Sequence, residues 1–511
     1  MINCQRIRRF SAAFQLPTTL VVAASCCVAG CVDGGASREA IVPNFEPVQP
    51  ELFAAPGGQP NAWADFDNDG DLDLFVGFRG AADRLYRNDA GVFTDVAADV
   101  GLANEAETRV AAWGDYDSDG HLDLYVGFPA AADTPNRLFH NEGDGRHFSD
   151  VAAQFGLDLI GTTRQTSWID YDNDGDVDLF IAFRDRPNRL FRNDGTTFTD
   201  VTENSGIADP RKTVGVAWFD MDMDGDLDAF VANQNGDQDG FFRNDGGQFT
   251  DIAPDLGMHS PDRTEEYGGV GPAVMDYDND GDFDLFVANY GPDALWENEG
   301  AGQFKEVAAG TPVGEDFHST AAAWGDFNND GWPDLYVVSY MRDEPEARDH
   351  LYRNVEGKLV DVIPALFLQR GASHGAQWAD FDADGDLDLA LTNNNLESSH
   401  PVYRSLLPQE AARRSIQVMV LDPNGIHVFA GAEVRVFAAG SDRLIGTRLV
   451  DTGGGYCSQN VMPVHVGLPV GVDRVDVEVT LLGFEGRMSQ TVQQVDPNQL
   501  PRRVLTVHAG Q

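Results

Sequence analysis

Nine-residue runs of the form Asp-x-Asp/Asn-x-Asp-Gly-x-x-Asp occur seven times in this chain. In such a run the side chains at positions 1, 3, 5 and 9 can turn toward one point, joined by the backbone carbonyl of position 7. That donor set suits a hard cation, and Ca²⁺ takes roughly six to eight oxygens. The Gly at position 6 permits the sharp turn. The first run offers Asp65, Asp67, Asp69, Asp71 and Asp73, and the second Asp115, Asp117, Asp119, His121 and Asp123. The third offers Asp170, Asp172, Asp174, Asp176 and Asp178, and the fourth Asp220, Asp222, Asp224, Asp226 and Asp228. The fifth has Asp276, Asp278, Asp280, Asp282 and Asp284; the sixth has Asp326, Asn328, Asp330, Trp332 and Asp334. The seventh has Asp380, Asp382, Asp384, Asp386 and Asp388. His121 and Trp332 stand at position 7, where only a carbonyl is needed. Two carboxylates about 4 Å apart repel by about 4 kcal/mol at an effective dielectric near 20. About seven structural Ca²⁺ ions are therefore expected to hold these loops.

A calcium hand of the helix–loop–helix type starts similarly, but it needs a Glu at position 12 and flanking helices. Position 12 here is Val76, Val126, Ile181, Val231, Val287, Val337 or Leu391, all apolar and strand-like. The loops must then sit between strands. An apolar run precedes each one, as in Val110–Trp113, and an alternating run follows, as in Leu122–Val126. A third element reads Leu-Tyr/Phe-Arg/His-Asn, as at Leu85–Asn88, and a fourth reads Phe-x-Asp/Glu-Val, as at Phe93–Val96. The runs begin 50 to 56 residues apart, the length of one four-stranded propeller blade. Trp63, Trp113, Trp168, Trp218, Trp324 and Trp378 each stand two residues before a run, with Val274 in the fifth repeat; they predict packing between blades. The last repeat lacks its fourth element, and Phe45–Val48 has that pattern. It is expected to complete the seventh blade, because an unpaired closing edge is a liability. The reading is an all-β, seven-bladed β-propeller with calcium-binding hairpin loops and a small C-terminal β-domain.

These loops, their spacing and their strands resemble the FG-GAP (or VCBS) repeats of integrin α-subunit propellers. The resemblance covers residues 45–405. It implies that ions brace one face while a protein or carbohydrate partner binds the other. Beyond Arg414, runs such as Ile416–Val420 and Val475–Val479 read as strands. Gly431–Val436, Gly454–Gln459 and His465–Leu468 resemble the ASPIC/UnbV domain, which follows such propellers in the cartilage acidic protein family and its bacterial relatives. The Trp-Pro-x-Gly segment usual near that domain's end is replaced here by Leu481–Gly486.

Residues 1–31 have a basic start and an apolar stretch, the layout of an export signal. Val28-Ala29-Gly30-Cys31 is similar to a bacterial lipobox, so the expected protein is exported, either as an envelope lipoprotein anchored on Cys31 or freely secreted. The expected boundaries are a linker over 32–44, the propeller over 45–413 and the C-terminal domain over 414–511. Cys457 is the one cysteine beyond that signal, so no internal disulfide is expected. A net charge of −48 argues against nucleic acid and against anionic membrane as partners. The acids fall in the loops, and no serine, zinc or cysteine–histidine motif of a hydrolase is present. The chain reads as a binding or scaffold protein and not an enzyme; the alternatives are a carbohydrate lyase or hydrolase, or a lectin. Arg109, Arg164, His318 and His374 lie six to eight residues before a loop, at inner-strand starts. They are expected on the side away from the acids, either as solvated or locally paired rim residues or as a place to receive an anionic group.

Overall fold

Each acidic run begins directly after one strand and ends on the first residue of the next. Gly58–Ala64 stops before Asp65, and Asp73–Phe78 starts at the ninth position. The same boundary recurs at Asp123, Asp178, Asp228, Asp284, Asp334 and Asp388. The loops are thus the hairpins joining first and second strands. The computed structural model describes residues 42–130, 133–258, 263–340, 348–368, 373–396, 398–484 and 486–510. The expected export signal, Cys31 and residues 32–41 of the expected linker lie outside these.

Seven sheets share one antiparallel order, from first strand to fourth. Their first strands are Gly58–Ala64, Val110–Gly114, Thr163–Ile169, Thr213–Phe219, Gly268–Met275, Ser319–Gly325 and Ser373–Ala379. Each neighbours the next, and the last neighbours the first, so the sheets close into a ring around an axial channel. The seventh sheet takes its outer strand from the N-terminal side: Phe45 pairs with Ser405, Glu46 with Arg404 and Pro47 with Tyr403. Pro47 has no N–H to donate and is tolerated on this edge.

The tryptophans fill the joints between sheets. Trp63, Trp113, Trp168 and Trp218 are at most 1% exposed. Trp113 Nε1 donates to Ala62 O, Trp168 Nε1 to Ala112 O, Trp324 Nε1 to Ala273 O and Trp378 Nε1 to Ala323 O. Each bond runs to the preceding sheet. Burying one large apolar side chain stabilises by roughly 2–3 kcal/mol, so one residue per joint does much to hold the ring.

The C-terminal part forms two further sheets. One joins Val464–Gly467, Ser415–Leu421 and Val504–His508; the other joins Leu444–Leu449, Glu433–Ala438, Val475–Leu481 and Met488–Val495. Ile416, Val418 and Val420 alternate with Val475, Val477, Val479 and Leu481 in their shared core. From this domain residues 451–462 enter the propeller. Ser458 and Gln459 pair in parallel with Ala111 and Ala112, adding a fifth strand to the second sheet on the channel side.

This insertion solves a problem the ring creates. Inner strands are sheet edges, and their buried N–H and C=O groups need partners. Gln459 accepts from Trp168 N at 2.7 Å and donates to Trp168 O at 2.9 Å. Asn460 accepts from Trp63 N at 2.9 Å, and Thr452 Oγ1 both accepts from Trp218 N and donates to Trp218 O. Gly455 O accepts from Ala376 N in the seventh sheet. Asp451 holds the inserted segment by accepting from Gly453 N, Asn460 N and Asn460 Nδ2.

Candidate metal centres

The loops repeat one hydrogen-bonding scheme. At position 1, Asp65 Oδ1 accepts from Asp69 N at 3.0 Å and Oδ2 from Gly70 N at 2.8 Å. Asp115, Asp170, Asp220, Asp326 and Asp380 accept from the equivalent pairs. Asp276 accepts from Gly281 N. The position-6 glycines have φ between 87° and 103°, a region that glycine enters without strain. At position 5, Asp69, Asp119, Asp174, Asp224, Asp280, Asp330 and Asp384 each accept from the N–H of position 7. At position 9, Asp73 Oδ2 accepts from Phe66 N and Oδ1 from Asn88 N; Asp123, Asp178, Asp228, Asp284, Asp334 and Asp388 do likewise.

Position 3 is different. A side-chain oxygen of Asp67, Asp117, Asp172, Asp222, Asn328 and Asp382 is buried with no hydrogen-bond partner, in six loops of the seven. In the fifth loop the orphan is Asp276 Oδ1. A buried acceptor without a donor is costly, and the same orphan in register is what a cation site leaves when the protein supplies all other bonds. Positions 1, 3 and 9 bring ligand oxygens within 4.8 Å of one another, at Asp65–Asp67–Asp73, Asp115–Asp117–Asp123, Asp170–Asp172–Asp178 and Asp220–Asp222–Asp228. Position 7 contributes no side chain to these groups. Asp71 accepts from Ala90 N, Asp226 from Gly246 N and Asp386 from Leu407 N, all outside the loop. The expected site residues therefore divide into converging oxygens at 1, 3 and 9, a turn-forming carboxylate at 5 that in the second loop also converges with Asp117 and His140, and side chains at 7 that bond outside the loop at Asp71, Asp226 and Asp386.

Burial dominates the electrostatics. Desolvation pushes Asp73 and Asp284 up to about 9, and Asp123 up to about 7. It pushes Asp65, Asp115, Asp220 and Asp276 up to about 6, and Asp170 and Asp326 to about 7. Asp178, Asp228, Asp334, Asp380 and Asp388 rise well above the ordinary carboxylate value for the same reason. These carboxylates want either a proton or a cation beside them. The donor set is hard oxygen throughout, which suits Ca²⁺. The second loop adds a nitrogen: His140 Nδ1 lies 3.2 Å from Asp123 and 3.5 Å from Asp117. Its hydrogen bond to Asp123 raises it to about 9.

Two side chains invisible to the metal motif link neighbouring loops. The Asn closing the third strand donates its Nδ2 to the preceding loop: Asn141 to Phe66 O, Asn193 to Tyr116 O, Asn244 to Tyr171 O, Asn298 to Met221 O and Asn354 to Tyr277 O. Asn88 ties the first sheet to the last by donating to Phe381 O, whereas the seventh sheet has Ser405 in the equivalent place. The Asn at position 4 reaches forward, from Asn68 to Gly120 O, Asn173 to Gly225 O, Asn279 to Gly331 O and Asn329 to Gly385 O. The repeated Leu-Tyr/Phe-Arg/His-Asn pattern carried the first signal, although it reads only as a strand.

The C-terminal domain lies over these loops. Arg487 pairs with Asp220 and, at 2.7 Å, with Glu433. Arg502 pairs with Asp71 at 2.8 Å, and Gln417 donates to Asp380 at 2.6 Å. A cavity of about 560 Å³ remains between the first and last loops and this domain. His465, a strand residue opposite Gln417, has its Nε2 3.4 Å from Gly385 O. Cys457 is buried, and desolvation pushes its thiol up to about 12, so it acts as a small apolar residue.

Comparison with known proteins places these features. The chain carries FG-GAP-like repeats, matched at residues 65–126, 170–231, 220–287 and 276–337. It is 30% identical to cartilage acidic protein 1 of Xenopus tropicalis over 149 residues, 28% of this chain and 22% of that protein. To the human protein of that name it is 26% identical over 264 residues, 48% of this chain and 37% of that protein. The chain thus spans well under half the length of the curated relatives it matches. A solved lectin from Agrocybe aegerita, described as recognising non-reducing terminal N-acetylglucosamine, aligns with 67% of this chain and 87% of its own at 15% identity and a TM-score of 0.41.

Proposed function

We propose that this protein is an exported, calcium-braced propeller that acts as a protein- or glycan-binding scaffold at the cell envelope and has no catalytic chemistry of its own. The recurring buried oxygen at position 3 carries the calcium half of this reading. Asp67, Asp117, Asp172, Asp222 and Asp382 would hold the ion with positions 1 and 9, and Asn328 would do so in the sixth loop. Calcium supplies charge neutralisation there. At about ten times Kd each ion adds roughly 1.4 kcal/mol, so seven add about 10 kcal/mol.

The binding half rests on where the acids are used. Their carboxylates are committed to turns and converging loops, and the loop face lies under the C-terminal domain. That leaves the opposite face for a partner. Among the described residues no helix is long and apolar enough to cross a membrane, so the proposed membrane link is a lipid on Cys31. The test is capture from envelope extract by the full chain, with and without Ca²⁺, beside a glycan array. Calcium-dependent capture of one protein or glycan supports the scaffold. Turnover of a polysaccharide, or no capture under either condition, overturns it.

A further inference from the structure

Away from the acidic loops, three inner strands start with an arginine or histidine side chain. Arg109 immediately precedes the second inner strand, Arg164 lies in the third and His374 in the seventh. Arg164 and His374 both sit where strand pairing shifts register, between Thr163 and Thr166 and between Ser373 and Gly375. The same shift recurs in the first, fourth, fifth and sixth sheets, so it is a feature of the repeat that sets where these side chains stand.

The inserted segment gathers these strand starts: Ala111 N donates to Cys457 O, and Gln165 Nε2 donates to Ser458 O. Burial first, and then the charges of Arg109, Arg164 and Arg79, hold His374 well below its ordinary value and keep it neutral. Arg184 feels Arg164 and Arg109. In the same segment the Tyr456 ring lies 4.0 Å from that of His374. Tyr290 stacks on His318 at 3.8 Å.

Arg164 is the informative residue. It is 8% exposed, its Nε is buried without a partner, and no carboxylate pairs with it among the described residues. His374 is 3% exposed and its Nδ1 is equally unpartnered. Glu107, the nearby carboxylate, is already engaged by Arg109 at 2.7 Å and by Gln59 at 3.3 Å. Burying an unpaired guanidinium is expensive, so such a group is retained where something pairs with it.

We propose that this channel mouth is an oxyanion-binding site that takes a carboxylate or sulfate group, with Arg164 as its main contact and Arg109, Arg184 and His374 around it. The planar guanidinium can hold either group through two parallel hydrogen bonds. The site rests on the reading of the chain as a binding module and names the chemistry of what it binds.

The experiment is calorimetric titration of the calcium-loaded full chain with sodium sulfate, sodium glucuronate and neutral glucose, at ionic strength matched with sodium chloride. Sulfate or glucuronate should bind and glucose should not. Which anion binds tells whether the natural group is a sulfate or a carboxylate. Arg164→Gln should weaken the titrated anion at least tenfold, Arg164→Lys should weaken it less, and the exposed Arg146→Gln should change nothing. If Arg164→Gln does not fold, Arg184→Gln must show the weakening instead. No binding beyond the chloride control, or wild-type affinity in Arg164→Gln, overturns the site. Sulfate binding with nothing captured from extract or array leaves the site and removes the scaffold reading. Capture that Arg164→Gln does not weaken removes the site and leaves the scaffold.

Discussion

The two ends of the channel solve the problem of buried charge in opposite ways. At the loop end, carboxylates are crowded, backbone N–H groups satisfy positions 1, 5 and 9, and the buried oxygens left without a donor lie mainly at position 3, in groups that could hold a metal ion. At the far mouth, arginines and a histidine are gathered with few acceptors, and Arg164 is left without a partner. The first arrangement is repeated seven times and serves the fold. The second occurs once, in the arc of the second, third and seventh sheets, and breaks the repeat. At the same register the fourth and fifth sheets carry Val214 and Val270, both buried. Repetition marks structure here, and departure from repetition marks the candidate for recognition.

The sharpest way to break this comparison is to remove the metal. Chelation is expected to lower the melting temperature by about 10 °C, with Ca²⁺ restoring it. An unchanged transition would take calcium out of the account. Next comes the junction over the fourth loop. Arg487 is mostly buried and Asp220 and Glu433 almost fully so. Arg487→Ala should cost about 3 kcal/mol in denaturant unfolding, because it strands two carboxylates. A loss below 1 kcal/mol would mean the contact is solvated.

Acidity gives a third test. Position 1 and 9 carboxylates titrate higher in the folded chain than in the unfolded one. The folded, metal-free protein therefore holds protons that unfolding releases. That contribution is complete below about pH 4 and is lost as pH rises through 6 to 9. The chelated protein should melt several degrees lower at pH 8.5 than at pH 5.5, and the calcium-loaded protein should not. A chelated protein that gains stability over this range contradicts the loop assignments.

Within a loop the contrast is finer. Asp222→Ala should remove most of one ion's contribution, about 1 kcal/mol of calcium-dependent stability, whereas Asp71→Ala at position 7 should leave calcium binding intact. Equal effects would refute the division of positions. The smallest effect is expected at Arg502, half exposed in its pair with Asp71. Arg502→Ala should change stability by less than about 0.5 kcal/mol.

The loops, the sheet register and the closing strand were legible because each is a short local pattern. Asp73 opens a strand because position 9 and the alternating run after it are adjacent in the chain. Phe45–Pro47 could be assigned because it supplied the one element missing elsewhere. The inserted segment was not legible: Gln459 meets Trp168 across 291 residues, and nothing near either predicts the other. The asparagine ties were half legible. Asn141 and its equivalents stood out as a repeat, but their reach to the preceding loop depends on ring closure. Arg109, Arg164 and His374 were expected to share a face. That Arg164 Nε and His374 Nδ1 are left without partners, while Arg109 pairs with Glu107, is a property of packing, which no spacing reports.

The closing strand has a consequence in time. Phe45 is made early and pairs with Ser405, 360 residues later. Throughout synthesis it waits as a free edge, while the residues that seal the channel are made later still. Non-local pairing of this kind is slow, because the loop must close before any contact rewards it. Completion of the ring and entry of residues 451–462 must therefore be late events in folding, and the exposed inner edges before them are the stage most open to aggregation.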